Sequence, residues 1–166
     1  MKLYTTIDSP LGELLLVGTS DNEGGVALTA LSMPGKHTPV SDAWRRDDAA
    51  FAEPAAQLRA YFAGDRRTFD LALAPEGTDF QQKVWRALDT IPYGTTTTYG
   101  ELATSLDVPR EGLRGLGAAI GANPLLLIRP CHRVIGADGG MRGYAAGVEQ
   151  KQALLTHEGA LQPMLG

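Results

Sequence analysis

Tyr99-Gly100-Glu101-Leu102-Ala103-Thr104-Ser105-Leu106, then Asp107-Val108-Pro109, then the run from Arg110 to Ala122, is the stretch that decides the architecture. The first segment carries a short helical pattern, the middle three residues turn, and the third predicts another helix. Helix, three-residue turn, helix is the helix-turn-helix pattern. Gly112, Gly115, Gly117, Ala118, Ala119 and Gly121 leave the second helix nearly bare. A glycine costs about 1 kcal/mol against alanine inside a helix, so this surface needs a compensating reason. Close approach of another backbone supplies one, either DNA or a neighbouring helix.

Downstream lies Ile128-Arg129-Pro130-Cys131-His132-Arg133-Val134-Ile135, which holds the only cysteine of the chain. Pro124 and Pro130 each fix φ and give up a donor, so the backbone is stiff before the cysteine arrives. The residue ahead of a proline is pushed toward extended geometry, which includes Arg129. A lone thiol held this way beside a histidine is a candidate nucleophile. The competing reading is a buried structural cysteine, because free cysteine is among the most buried residue types. Gly136 to Gly143 reads as loop, Tyr144-Ala145-Ala146-Gly147 as a small-residue stretch, and Val148 to His157 as a last helix ended by Glu158-Gly159.

Upstream, Thr78 with Gln81 three residues on is a capping box, and Phe80, Val84 and Leu88 then share one helical face. This helix stops at Thr90-Ile91-Pro92-Tyr93-Gly94. Nearer the start, Tyr4 to Asp8, Glu13 to Thr19 and Val26 to Met33 are strand-length runs. Ser9-Pro10-Leu11-Gly12, Ser20 to Gly25 and Pro34-Gly35 punctuate them, as expected of an antiparallel meander. Phe51, Ala55, Leu58 and Phe62 recur at helical spacing, with Pro54 placing the start near Glu53 and Gly64 closing the helix. Phe69 to Leu73 reads as one more short strand. The fold class is α/β in the α+β sense, divided as 1–76 and 77–166.

At 166 residues, 43% hydrophobic and 20% charged, the chain reads as an ordinary globular protein. One cysteine excludes an internal disulfide framework and any multi-cysteine metal site; a reducing compartment suits it best. The opening residues are too polar for a signal peptide and no apolar run reaches membrane-spanning length, so a cytoplasmic protein is expected. The net charge of −4 divides into −5 for residues 1–79 and +1 for residues 80–166, which directs any polyanion to the second half.

Several blocks stand in a telling order: Phe80-Gln81-Gln82-Lys83-Val84-Trp85, Ile91-Pro92-Tyr93-Gly94, Tyr99-Gly100-Glu101-Leu102-Ala103, Asn123-Pro124, Pro130 to Ile135, Gly143-Tyr144, and Leu154-Leu155 with His157-Glu158-Gly159. Together they resemble the O6-alkylguanine-DNA alkyltransferases, closely over residues 78–159 and in outline before that. The resemblance implies an N-terminal ribonuclease-H-like sheet with a helix, then a mainly helical domain holding the helix-turn-helix and an active-site loop. It implies suicide repair of O6-alkylguanine, and less well O4-alkylthymine, in double-stranded DNA by a monomer without a cofactor. No zinc site is implied, since the zinc ligands of some relatives have no counterpart in residues 1–40.

The roles it implies fall on named positions. Cys131 takes the alkyl group, a water links it to His132, Glu158 orients the imidazole, and Tyr144 bonds near the leaving oxygen. Arg114 fills the gap left by the flipped base and Tyr99 presses on the neighbouring phosphate, with Gly115, Ala119, Arg110 and Arg133 also on the DNA side. Asn123, Val134, Ala145, Ala146 and Ile120 shape or support the base pocket. Four positions depart from the pattern. One extra residue separates Pro109 from Arg114, which would either shift the finger or hand part of its role to Arg110. Gly115 follows the finger, and Ala146 replaces a usual glycine. Arg129 stands where an apolar residue precedes Pro-Cys; if buried, its charge would lower the thiol pKa. The alternatives are a non-catalytic protein that flags alkyl lesions, and a cysteine hydrolase using Cys131, His132 and Glu158. The first replaces the cysteine, and no oxyanion-hole glycine motif supports the second.

Overall fold

A computed structural model describes residues 1–21, 23–34, 40–141 and 144–161. The turn residues Asn22 and Gly35, Pro39 at the start of the next loop, Gly143 of the Gly143-Tyr144 block and the end of the tail lie outside the described residues. The chain divides into two compact units. One holds Met1–Glu76 together with Pro124–Ile128; the other holds Gly77–Asn123 and Arg129–Gly166.

In the first unit, β1 (Lys2–Ser9), β2 (Gly12–Ser20) and β3 (Val26–Ser32) form the antiparallel meander, with Lys2 opposite Thr19 and Leu16 opposite Leu31. Leu3, Leu14, Leu16 and Leu28 are buried in the sheet, as are Phe51, Leu58 and Tyr61 of the helical stretch, and β2 is buried without a break from Leu14 to Gly18. The helix α1 (Ala52–Phe62) begins at Ala52 behind a 3-10 turn at Ala49–Phe51. A short strand β4 (Arg45–Arg46) joins β1 in parallel.

Two findings concern hydrogen bonds, and the first is a correction. Phe69 to Leu73 forms no strand, only a single bridge from Leu73 to Leu28. The Asp70 backbone is occupied by a side chain instead: its N–H donates to Gln57 Oε1 (2.9 Å) and its carbonyl accepts from Gln57 Nε2 (3.0 Å). The second concerns β3, whose register against β2 slips so that Val17 faces Ala30 while Gly18 faces Leu28, leaving Thr29 as a bulge. The bulge reverses the pleat. Backbone groups of both Leu28 and Leu31 therefore face the free edge, where Leu28 takes Ala72–Ala74 and Leu31 takes Pro124–Leu126. The edge is thereby covered.

In the second unit, α2 (Asp79–Leu88) has the expected capping box: Gln81 N donates to Thr78 Oγ1 and Thr78 N to Gln81 Oε1. Such a cap is worth about 1 kcal/mol. α3 (Tyr99–Ser105) is capped by Thr98. It ends with Asp107 at φ 56, whose N–H donates to Thr104 while that of Val108 reaches Ala103. Arg110–Gly112 is a 3-10 turn, so α4 starts only at Leu113 and runs to Gly121. Two parallel two-residue strands, β5 (Thr97–Thr98) and β6 (Val134–Ile135), bring the start of α3 to the stretch after the cysteine. The last helix, α5 (Val148–His157), buries Lys151, Leu154 and Leu155. Together with Glu158 they fall on one face, three, four and seven positions from Lys151. Gly159, at φ 80, closes α5 by letting Ala160 N reach Leu155 O.

Candidate functional site

Cys131 opens a 3-10 turn, Cys131–Arg133, and is 5% exposed. Its N–H donates to Arg129 O (2.7 Å) across Pro130, whose φ of −80 and ψ of 63 make an inverse γ-turn. Burial pushes the thiol up to about 11; a hydrogen bond from the Asn123 side chain and the positive charge of Lys151 pull the other way. Asn123 Nδ2 also donates to Arg129 O (2.9 Å), so one amide supports both the thiol and the peptide before it.

His132 is fully buried. Its Nε2–H donates to Glu158 Oε2 at 2.9 Å, while Nδ1 has no hydrogen-bond partner among the described residues. Burial lowers the imidazole pKa and outweighs the raising effect of Glu158, so the ring is neutral. The Glu158 contact then assigns the proton to Nε2 and leaves Nδ1 as a bare acceptor. Glu158 itself is depressed to about 2: burial alone would raise it, but hydrogen bonds and charge from His132 and Arg133 prevail. The Tyr144 ring stands edge-on to His132, with centroids 6.5 Å apart at 84°.

Arg133 requires a correction. Expected on the DNA side, it is buried and forks onto Glu158, Nε to Oε1 at 2.8 Å and Nη2 to Oε2 at 3.0 Å, with Nη1 donating to Ile91 O. It lies 5.7 Å over the Tyr93 ring and is committed to the interior. Ala119 is corrected likewise: it is 4% exposed, and its carbonyl accepts from Trp85 Nε1 (2.8 Å), so it fastens α4 to α2. The bare glycines therefore serve different neighbours. Arg110, Arg114 and Gly115 are exposed, and a Cβ added at Gly115 or Gly117 meets nothing within 4 Å.

Tyr99 is half-buried; burial raises its hydroxyl pKa, and the neighbouring Cys131 charge raises it further. Val134, Tyr144, Ala146 and Ile120 are buried and Ala145 is partly so. Arg129 is buried, but the cation acting on the thiol is Lys151. The Arg129 guanidinium turns to Asp89, Nε to Oδ2 at 3.5 Å, and neither Nε nor Nη1 makes a hydrogen bond among the described residues. Lys151 was missed in the sequence, hidden inside a helix read only for its length. Its Nζ donates to Val134 O (2.6 Å), and burial lowers its pKa against the pull of Cys131. The seven-residue spacing from Glu158 was the available signal, since it puts both groups on the face that buries Leu154.

A neutral imidazole with a free acceptor nitrogen, next in sequence to a buried thiol and anchored by an ionised glutamate, is equipped to take a proton from that thiol. Comparison with known proteins agrees in outline. Residues 2–75 match the 6-O-methylguanine DNA methyltransferase ribonuclease-like domain, and residues 79–160 match the DNA binding domain of the same family. A methylated-DNA–protein-cysteine methyltransferase of Methanosarcina acetivorans is 45% identical over 95% of this chain and 98% of its own. One from Mycobacterium bovis is 46% identical over 96% and 94%. A Mycobacterium tuberculosis OGT crystallised with DNA superposes with a TM-score of 0.85 at 47% identity, covering 95% of this chain and 93% of that one. The enzyme from Pyrococcus kodakaraensis, at 24% identity and a TM-score of 0.64 over 96% and 99% of the two chains, shares the fold. With both halves matched in order and relatives of this closeness along nearly the whole length, the chain belongs to the 6-O-methylguanine DNA methyltransferase family.

Proposed function

We propose that the protein removes the alkyl group of O6-alkylguanine, and less well of O4-alkylthymine, from duplex DNA by transferring it irreversibly to Cys131 after the damaged base is flipped out. The observation that carries the reading is the bare Nδ1 of neutral His132, held in place by Glu158 beside a buried thiol.

The thiol proton passes through one bridging water to His132 Nδ1, and Glu158 stabilises the imidazolium that forms. Lys151 and the Asn123 amide favour the thiolate. Sulfur attacks the alkyl carbon in line with the C–O6 bond. That bond breaks with its electron pair on O6, and the purine anion is stabilised by the Tyr144 hydroxyl, which donates to it. The proton lost by the thiol ends on guanine, the His132–Glu158 pair returns to its starting state, and the thioether remains. A stacked base offers no access to its alkyl carbon, so flipping precedes transfer. Exposed Arg114, near the start of α4, supports a finger into the stack, and the open Gly115–Gly117 face supports close approach to the minor groove.

Incubating the protein with a duplex carrying one O6-methylguanine, then weighing its peptides, tests this. A methyl gain on the peptide holding Cys131, absent in Cys131→Ala, is expected. Tight lesion binding without a mass gain identifies a flag protein instead.

A further inference from the structure

The chain covers the eight steps from Asn123 to Cys131 by passing from the second unit into the first and back. Its turning point is Leu127, a non-glycine residue at φ 71 that is 1% exposed. Ile128 N donates to Leu126 O at 2.8 Å around it, which makes a γ-turn of positive φ, the rare and strained form. Glycine takes this backbone freely, whereas leucine does so only when its surroundings leave it no choice. Those surroundings are visible. Leu31 N donates to Pro124 O (2.8 Å) and Leu126 N to Leu31 O (3.2 Å), which pins the segment to β3 on the near side of the turn. On the far side, Asn123 Nδ2 closes onto Arg129 O. That same carbonyl receives Cys131 N, so Arg129, two residues after Leu127 in the chain, carries both the Asn123 bond and the inverse turn at Pro130.

We propose that Leu127 is a positioning residue for alkyl transfer. Its strained turn, held to β3 through Leu31, sets the direction in which the chain enters Arg129 and the peptide on which Cys131 is aimed, and a relaxed turn at this point releases the thiol from its geometry. The proposal rests on Cys131 being the acceptor, but its first readout does not depend on activity.

The test compares Leu127→Ala with Leu127→Gly. Both remove the buried side chain, and only glycine removes the strain. Heat unfolding is expected to place Leu127→Gly above Leu127→Ala, the reverse of the usual order for this pair in a folded protein. Hydrogen exchange is expected to be faster at the amides of Cys131 and Arg133 in Leu127→Gly than in Leu127→Ala, with the amide of Leu16, in the body of the sheet, unchanged. With free O6-benzylguanine, Leu127→Gly should transfer roughly tenfold more slowly than Leu127→Ala at saturation, with a similar half-saturating concentration, because small misplacements of a reacting group carry large rate losses. The more stable variant is thus the slower one, which a purely structural role does not produce. Leu127→Ala unfolding at or above the temperature of Leu127→Gly, or equal exchange at Cys131 in the two, overturns the proposal. Should wild-type protein take no alkyl group at all, the functional reading fails while stability and exchange still decide the turn.

Discussion

Glu158 binds two partners of different character, and its ionisation is the electrostatic centre of the site. Its folded pKa of about 2 lies below the ordinary 4.5, so the stability it contributes is fully present above pH 4.5 and drains away as pH falls toward 2. At 1.36 kcal/mol per unit this is on the order of 3 kcal/mol. His132 adds an earlier stage, because its folded pKa also lies below the unfolded one and stability declines as pH drops below 6.5. Urea unfolding across pH should therefore weaken in two stages, and Glu158→Gln should remove the lower one. The same substitution leaves buried Arg133 unpaired, which costs about 3 kcal/mol near neutrality. A variant that follows the wild-type acid profile below pH 4.5 would exclude Glu158 from this role. Arg129 presents the opposite case. Its two buried nitrogens without a hydrogen-bond partner among the described residues each carry a desolvation cost of about 1–3 kcal/mol, and the cation that lowers the thiol pKa is Lys151. Arg129→Leu should raise unfolding stability by about 1–2 kcal/mol and leave the transfer rate unchanged; slower transfer would show that the guanidinium assists the reaction.

Among the elements, α4 carries two jobs on two faces. Ala119 and Leu116 pack inward and the Ala119 carbonyl accepts the Trp85 hydrogen bond, while Arg114, Gly115 and Gly117 lie toward open space. Gly117→Leu should fold at least as stably as wild type, since a helical glycine is replaced, yet bind duplex DNA more weakly. Unchanged affinity would remove this face from the interface. Arg114→Ala should slow repair in duplex DNA far more than reaction with free O6-benzylguanine; equal slowing would reject the finger. The helices were legible because their signals are local: Thr78 with Gln81, the spacing of Phe51 to Phe62, and Pro109 after Asp107. The two short parallel pairings, Leu3 with Arg45 and Thr97 with Val134, were not, since two residues carry no period and their partners lie far away in sequence. Phe69 to Leu73 has strand composition, but the Asp70 backbone bonds go to Gln57, a side chain that no periodicity announces, and only Ala72 and Leu73 reach β3.

Over the whole molecule, the site was legible where chemistry is written in residue type and obscure where it depends on direction. Cys131, His132 and Glu158 stand out as thiol, imidazole and carboxylate. Arg133 reads as a surface cation until the fold turns it inward, and Lys151 reads as an ordinary helix residue until α5 buries it. The bulge at Thr29, which readies Leu31 to hold Pro124–Leu126, follows from pairing across three strands and lies beyond any local signal. What unites these parts is a single buried sulfur, which the proposed function has served by one base and used once. The direct measurement is a stoichiometric titration: increasing amounts of duplex bearing O6-methylguanine are added to a fixed amount of protein, and the methyl groups on the protein are counted by mass. Uptake should stop at one methyl per molecule, all of it on Cys131, with further lesions left unrepaired. Repair that continues past one lesion per molecule, or methyl found on any other residue, would contradict the account.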